Sequence, residues 1–152
     1  MWFRFLFKDN FVLKDLSMKI TPLFIFIFLV SCQNPAGNPR LASQPYPMTQ
    51  HVASSVPIQV IRDREYIEIV NSTANDYGIT TLWVNQRFSS TLPQLPAGST
   101  IRFDLWSLRD AYGEQFNAGG IWRTDEPTSL VIAELQLDET QPLVGLVVVS
   151  GE

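Results

Sequence analysis

Residues able to carry chemistry are few in this 152-residue chain. Its only cysteine is Cys32 and its only histidine is His51. From Pro57 onward there is neither, so thiol catalysis, Ser-His catalysis and sites for soft metals have no residues to use there. We therefore expect no metal and no cofactor, and we interpret His51 as a solvated residue rather than a catalytic one.

Carboxylates are the remaining candidates for acid–base chemistry. Hydrolysis of glycosidic bonds needs two of them facing each other across a cleft, roughly 5–10 Å apart. The paired acids of the sequence are Asp104/Asp110, Asp125/Glu126 and Asp138/Glu139. Acids close together in loops are usually solvated, so we predict that the protein is not an enzyme. An enzyme that acts on cell-wall glycans through carboxylates is the alternative.

An apolar run of eight residues, 23–30, leads directly to Cys32. Together with Met18-Lys19 it has the basic start, short apolar core and small-residue end of an export signal. A membrane-spanning helix needs about 20 apolar residues, so a single-span anchor is the less favoured alternative. We predict a helical signal segment over residues 1–31, with the true start at Met18.

The end of that run, Leu29-Val30-Ser31-Cys32, resembles the lipobox of bacterial lipoproteins. The resemblance implies that the Cys32 thiol receives diacylglycerol and that a signal peptidase cuts before it. Two or three acyl chains anchor a protein stably, since each buried methylene contributes about 0.8 kcal/mol. The expected location is the bacterial cell envelope. Gln33 in place of an aspartate favours the outer membrane, if the host has one.

Residues 32–56 are rich in proline and small polar residues, and we predict a disordered linker that begins at the lipid attachment site. From Cys32 onward the chain has seven arginines, no lysine and thirteen acids, which gives a net charge of −6. This balance argues against binding to nucleic acid, which requires clustered positive charge. The expected partners are the membrane, through Cys32, and a protein or polysaccharide of the envelope.

Residues 57–152 consist of short apolar alternations separated by turn residues, such as the charged turn Arg62-Asp63-Arg64 and the two-residue turn Asn85-Gln86. About seven short strands at this spacing predict an all-β domain, an antiparallel β-sandwich. The domain resembles immunoglobulin-like domains of envelope lipoproteins at residues 69–73, 82–85 and 95–99. It lacks the two core cysteines of antibody domains, and the resemblance implies a fold without a catalytic site.

Since catalytic groups are absent from this part of the sequence, aromatic residues are the remaining candidates for a binding surface. Alternation places Trp83 and Trp106 off the apolar faces of their segments, and Trp122 and Arg123 follow a Gly-Gly pair. Exposed tryptophan beside arginine suits sugar rings or a protein partner. We predict that Trp83, Trp106, Trp122 and Arg123 contribute to such a surface, on a lipid-anchored protein that presents its β-domain for interaction.

Overall fold

The structure, a computed structural model, describes residues 37–50, 52–121 and 125–149. The chain divides into two compact units, Met1–Ala36 and Gly37–Glu152, and the described residues all belong to the second. The predicted signal segment, its cleavage site and Cys32 lie outside the described residues, as do His51, Trp122 and Arg123.

Seven strands form the domain, and the only helical elements among the described residues are two short 3-10 turns, Pro39–Leu41 and Leu105–Ser107. The strands are β1 (Val52–Asp63), β2 (Tyr66–Asn71), β3 (Thr80–Val84), β4 (Phe88–Leu92), β5 (Thr100–Asp104), β6 (Ala133–Gln136) and β7 (Leu143–Val149). The prediction of an all-β domain with about seven short strands is confirmed.

The strands pair in the order β4-β3-β6-β7-β1-β2-β5, as one hydrogen-bonded sheet. Every pair is antiparallel except β1 with β7, which run parallel. The prediction of purely antiparallel pairing is therefore wrong at this pair. The 12 residues of β1 pair with β2 on one side and with β7 on the other. β1 and β7 lie at opposite ends of the domain sequence, so no tight turn requires them to run antiparallel.

The sheet curls until it is nearly closed around one apolar core. The chain after β5 crosses to the opposite edge, where Arg109 and Ser89 of β4 exchange backbone hydrogen bonds of 3.1 and 2.8 Å. The inner side chains of all seven strands share this core, which includes Ile58, Ile67, Leu82, Leu92, Phe103, Leu135 and Leu146. Alternation along most of the strands places apolar residues on one face, so the sequence pattern and the core agree there.

Residues 37–50, which we call the strap, pack on the domain. Ser43 N donates to Asp110 O at 2.9 Å, and the Gln44 side chain donates to Gln136 Oε1 at 3.0 Å. The predicted boundary at Pro57 is therefore too late, and the prediction of a disordered linker is wrong for the strap. Composition indicated flexibility there, whereas contacts with distant residues of the domain fix the segment.

Strand direction defines two ends of the domain. β6 pairs antiparallel with both β3 and β7, and β7 pairs parallel with β1. The strands β1, β3 and β7 therefore point in the same direction. We call the end where these three strands finish the hairpin end, because it carries the β1–β2 and β3–β4 turns. At the second turn Asn85 and Gln86 have φ of 53° and 56°, and Arg87 N donates to Val84 O, which confirms the predicted hairpin.

Candidate functional site

A groove of about 760 Å³ opens at the hairpin end. One wall is the β1–β2 hairpin, residues 62–66, and the other is the chain before β6. The described residues lining it are residues 62–66, Arg102, residues 118–121, Asp125 and Pro127. Its size is within the range of small-molecule and peptide sites, so it is the candidate binding site of the described domain.

Arg62 holds the two walls together. Its guanidinium donates to Thr128 O at 2.6 Å and to Ala118 O at 3.0 Å, across the floor of the groove. Burial lowers the pKa of this guanidinium from its usual value. Because both carbonyls belong to the chain before β6, Arg62 fixes the width of the groove rather than offering charge to a ligand.

The second wall approaches the hairpin closely because it contains Gly119 and Gly120. Their φ values of 89° and 133° lie in the region that favours glycine. A Cβ on Gly120 would lie 2.5 Å from Glu65 Oε1, so a side chain there would have to displace the carboxylate. In the sequence this Gly-Gly pair was only the pair of residues before Trp122 and Arg123, whereas the structure shows that it shapes the groove.

Arg102 and Tyr66 form the mouth of the groove. The Arg102 guanidinium lies over the Tyr66 ring, 4.2 Å from its centroid, and its Nη2 is 3.2 Å from Asp63 Oδ2. Both charged side chains of this pair are at least half exposed, so the pair is open to exchange with a ligand. Arg102 belongs to β5, which ends the strand order with β2 as its neighbour.

Three carboxylates, Asp63, Glu65 and Asp125, also line the groove. Of these, Asp125 alone belonged to a predicted pair. Within residues 37–50, 52–121 and 125–149, no group of three or more acids, histidines or cysteines could hold a metal ion.

Acids of the other predicted pairs stabilise turns. Asp104 caps the second 3-10 turn by accepting from Trp106 N at 2.9 Å, and Asp138 accepts from Thr140 N at 2.8 Å. Asp110 is buried and binds the backbone of its own loop. These three carboxylates therefore have local structural roles.

The predicted tryptophan surface is not assembled as expected. Trp83 is fully buried, and its Nε1 donates to Gln136 Oε1 at 3.0 Å, so the prediction that it faces a ligand is wrong. Trp106 is partly buried and packs against the core. Alternation correctly placed Trp83 off the core face, but the sequence did not show that the strap would cover it.

Under the strap lies a polar cluster that the sequence did not predict. Tyr46 packs edge-on against Trp83 with ring centroids 5.3 Å apart, beside the buried Glu134 and Gln136 of β6. Burial, and then the hydrogen bond and charge of Glu134, raise the pKa of Tyr46 to about 12, against a smaller lowering by Gln86. The alternation Ala133-Glu134-Leu135-Gln136 was the available signal, since it places both polar residues on one face.

No protein-family model, no curated protein and no solved structure matches the chain. The part of the chain that the structure describes contains no helix with the length and apolar character required to cross a bilayer.

Proposed function

We propose that this protein is a non-enzymatic, lipid-anchored protein of the bacterial cell envelope whose β-domain binds an extended segment of a protein partner in the groove. The observation that carries the proposal is the position of the groove beside an edge strand. Arg102 is at once a residue of β5 and part of the groove mouth.

An edge strand can accept a further strand through its outward backbone groups, and pockets beside it then select the side chains of the added peptide. The groove offers both apolar contacts, from Ile121 and Pro127, and charged groups, from Arg64 and Arg102. A segment that combines an acidic residue with apolar neighbours would match this lining. The stacking of Arg102 on Tyr66 covers one face of that ring, which disfavours a sugar stacked there.

For the fold, the proposal includes an immunoglobulin-like sandwich. Such domains place strands A, B and E in one layer and strands G, F and C in the other, with C′ added in variable-type domains. The order β5-β2-β1 followed by β7-β6-β3-β4 can be read as these two groups. Pairing of β1 on both sides would then join the layers into one hydrogen-bonded sheet.

The lipid anchor is supported by the apolar run and by the lipobox-like residues Leu29-Val30-Ser31-Cys32. Its test is metabolic labelling with an alkyne palmitate analogue and the intact mass of the membrane-bound protein. We expect a mature chain that begins at an acylated Cys32, with Ser31→Ala still labelled and Cys32→Ala unlabelled. An uncleaved chain without acyl groups would support the single-span alternative instead. The predicted outer-membrane location is tested by separating the inner and outer membranes and measuring which of them contains the protein.

The groove is tested by site-specific photo-crosslinking in cells. A crosslinking residue at position 64 should give a discrete adduct with one protein, and the same residue at position 79 should give none, because Ile79 precedes β3 at the opposite end of the domain. Arg102→Glu should abolish the adduct at position 64. Adducts of equal yield at both positions, or retention of the adduct in Arg102→Glu, would contradict a groove-bound partner.

One observation favours the enzymatic alternative: Glu65 and Asp125 line the same groove. An enzyme acting on cell-wall glycans would release soluble fragments from purified peptidoglycan, and Glu65→Gln or Asp125→Asn would stop the release. We expect no release from the unaltered protein. Binding of polysaccharide without cleavage would instead identify a glycan as the partner and would contradict the choice of a protein.

A further inference from the structure

We propose that the loop of residues 110–114, at the hairpin end of the domain, faces the lipid surface, with Tyr112 in contact with it. The inference rests on the proposed lipid anchor at Cys32 and adds an orientation to it.

The described part of the chain begins at Gly37, and contacts with a single loop fix that point. Asn38 N donates to Gly113 O at 3.2 Å. Gly113 has a φ of 78°, and a Cβ there would overlap the Asn38 carbonyl, so the two backbones are in close contact. A Cβ on Gly37 would likewise meet the backbone of residues 112–114. Gly37 is therefore held against the loop of residues 110–114.

That loop is itself fixed to the sheet. The Arg87 Nη2 binds Asp110 Oδ2 at 2.8 Å and also contacts Glu114. The Asp110 carboxylate accepts from the backbone N–H groups of Tyr112 and Glu114 at 2.9 and 2.8 Å. Because Arg87 closes the β3–β4 turn, the loop and Gly37 lie at the hairpin end.

Only five residue steps separate Cys32 from Gly37. A fully extended chain covers at most about 3.6 Å per residue, so the acylated residue lies within about 18 Å of Gly37. An anchor this short restricts how far the domain can rotate away from the lipid surface. It favours contact at the loop against which Gly37 is held.

One large aromatic side chain projects from this loop, since Tyr112 is 78% exposed. Single exposed apolar residues are common, so the evidence for Tyr112 is its place beside the anchor. Tyrosine is enriched at membrane interfaces because it combines an apolar ring with a polar hydroxyl. A net charge of −6 from Cys32 onward gives no general attraction to anionic lipids, so the contact depends on the anchor and this side chain.

The test uses the full-length lipidated protein in phospholipid vesicles. Cys32 is the only cysteine of the chain and its thiol is alkylated in the mature protein, so Tyr112→Cys would supply the sole free thiol for an environment-sensitive fluorophore. We expect blue-shifted emission that nitroxide-labelled lipids quench. Ile79→Cys is the matched control, since Ile79 is 75% exposed at the opposite end and its label should be neither shifted nor quenched.

A variant with a flexible spacer distinguishes a fixed orientation of the domain from simple attachment to the membrane. About 20 Gly and Ser residues inserted between Gln33 and Asn34 would add an r.m.s. length of about 25 Å and should remove the difference between the two labels. Equal spectra and equal quenching at positions 112 and 79, in protein whose mass shows acylation, would overturn the orientation and leave the anchor standing. A mass without acyl groups would overturn the anchor and the orientation together.

Discussion

Two regions of this domain are rich in polar and aromatic side chains, yet they differ in what covers them. On the outer face of β3 and β6, the strap buries Trp83, Glu134 and Gln136. At the hairpin end, Arg102 and Asp63 remain at least half exposed around an open groove. The comparison shows that residue type alone does not identify a binding site, because cover by another part of the chain decides which groups a partner can reach.

The same comparison separates two kinds of consequence. Substitutions under the strap remove buried contacts and should lower stability, whereas substitutions at the groove mouth should change binding while stability stays nearly constant.

Trp83→Ala should have the largest effect. Removing a fully buried tryptophan typically lowers the free energy of unfolding by about 3–5 kcal/mol, and Trp83 also loses its bond to Gln136. Urea unfolding followed by circular dichroism measures the change. Trp83→Phe keeps most of the packing and should lower the free energy of unfolding by less than Trp83→Ala does. A loss below about 1 kcal/mol for Trp83→Ala, the usual scale of a surface change, would show that the strap does not bury this face in solution.

Asp110→Asn should have the next largest effect on stability. A hydrogen bond to a charged group contributes about 1.5–3 kcal/mol, and this variant loses the ionic pairing with Arg87 while keeping an acceptor for the loop. We therefore expect a loss of about 2 kcal/mol at neutral pH by urea unfolding. Ser107→Ala, in a neighbouring exposed turn, is the control and should change stability much less.

Asp110 should also make the stability of the domain depend on pH. Burial alone would raise the pKa of this carboxyl, but hydrogen bonds from Arg87 and from the N–H groups of Glu114 and Tyr112 lower it overall. A lowered folded-state pKa stabilises the protein above the unfolded value of about 3.9 and loses that contribution as pH falls through the folded value. The stability gap between the unaltered protein and Asp110→Asn should therefore shrink below about pH 4. A constant gap from pH 7 to pH 3 would count against the pairing.

Tyr46→Ala should cost about 1–2 kcal/mol, from the edge-on contact with Trp83 and the partial burial of the ring. Met48→Ala, 78% exposed on the same strap, is the control and should change stability by less than about 0.5 kcal/mol. Equal effects of the two substitutions would mean that Tyr46 does not hold the strap.

The Tyr46 hydroxyl adds a spectroscopic check. Its pKa of about 12 lies above the ordinary value of 10.0. Stabilisation by the neutral phenol is therefore complete below about pH 10 and is lost as pH rises through the folded-state value. Ultraviolet titration should show one late-ionising tyrosine that disappears in Tyr46→Phe. Ionisation of all tyrosines near pH 10 would contradict the buried contact with Glu134.

Arg102→Glu should have the smallest effect on stability, below about 0.5 kcal/mol, because exposed ion pairs contribute little. Thermal unfolding measures this, and the crosslinking at position 64 measures the loss of binding in the same variant. A large fall in stability would mean that Arg102 holds the fold rather than a partner.

The strand pattern was accessible from sequence for a physical reason. Alternation with period two along Ile67-Glu68-Ile69 or Thr100-Ile101-Arg102-Phe103 is required wherever one face of a strand packs on a core. The Asn85-Gln86 turn was accessible as well, since few residues other than glycine tolerate the left-handed conformation as Asn does. These are local properties, and the all-β class follows from them.

Side-chain chemistry also made one polar loop predictable. Asn71-Ser72-Thr73 reads as turn chemistry in the sequence, and Asn71 is buried, with its amide donating to Leu95 O and Pro96 O at 3.2 and 2.9 Å. The short polar side chain replaces backbone partners that the loop lacks. Its local role, though not its distant acceptors, was visible in the sequence.

By itself, then, the sequence determined the all-β class, the position of most strands and turns, and the apolar run that ends at Cys32. Only the tertiary structure decided that β1 pairs on both sides, that the proline-rich strap covers Trp83, and that Arg62, Arg102 and the Gly119-Gly120 pair shape one groove. Each of these depends on contacts between residues far apart in the chain. Local composition and periodicity carry no information about such partners, because many distant segments could satisfy the same hydrogen bonds and the same apolar face.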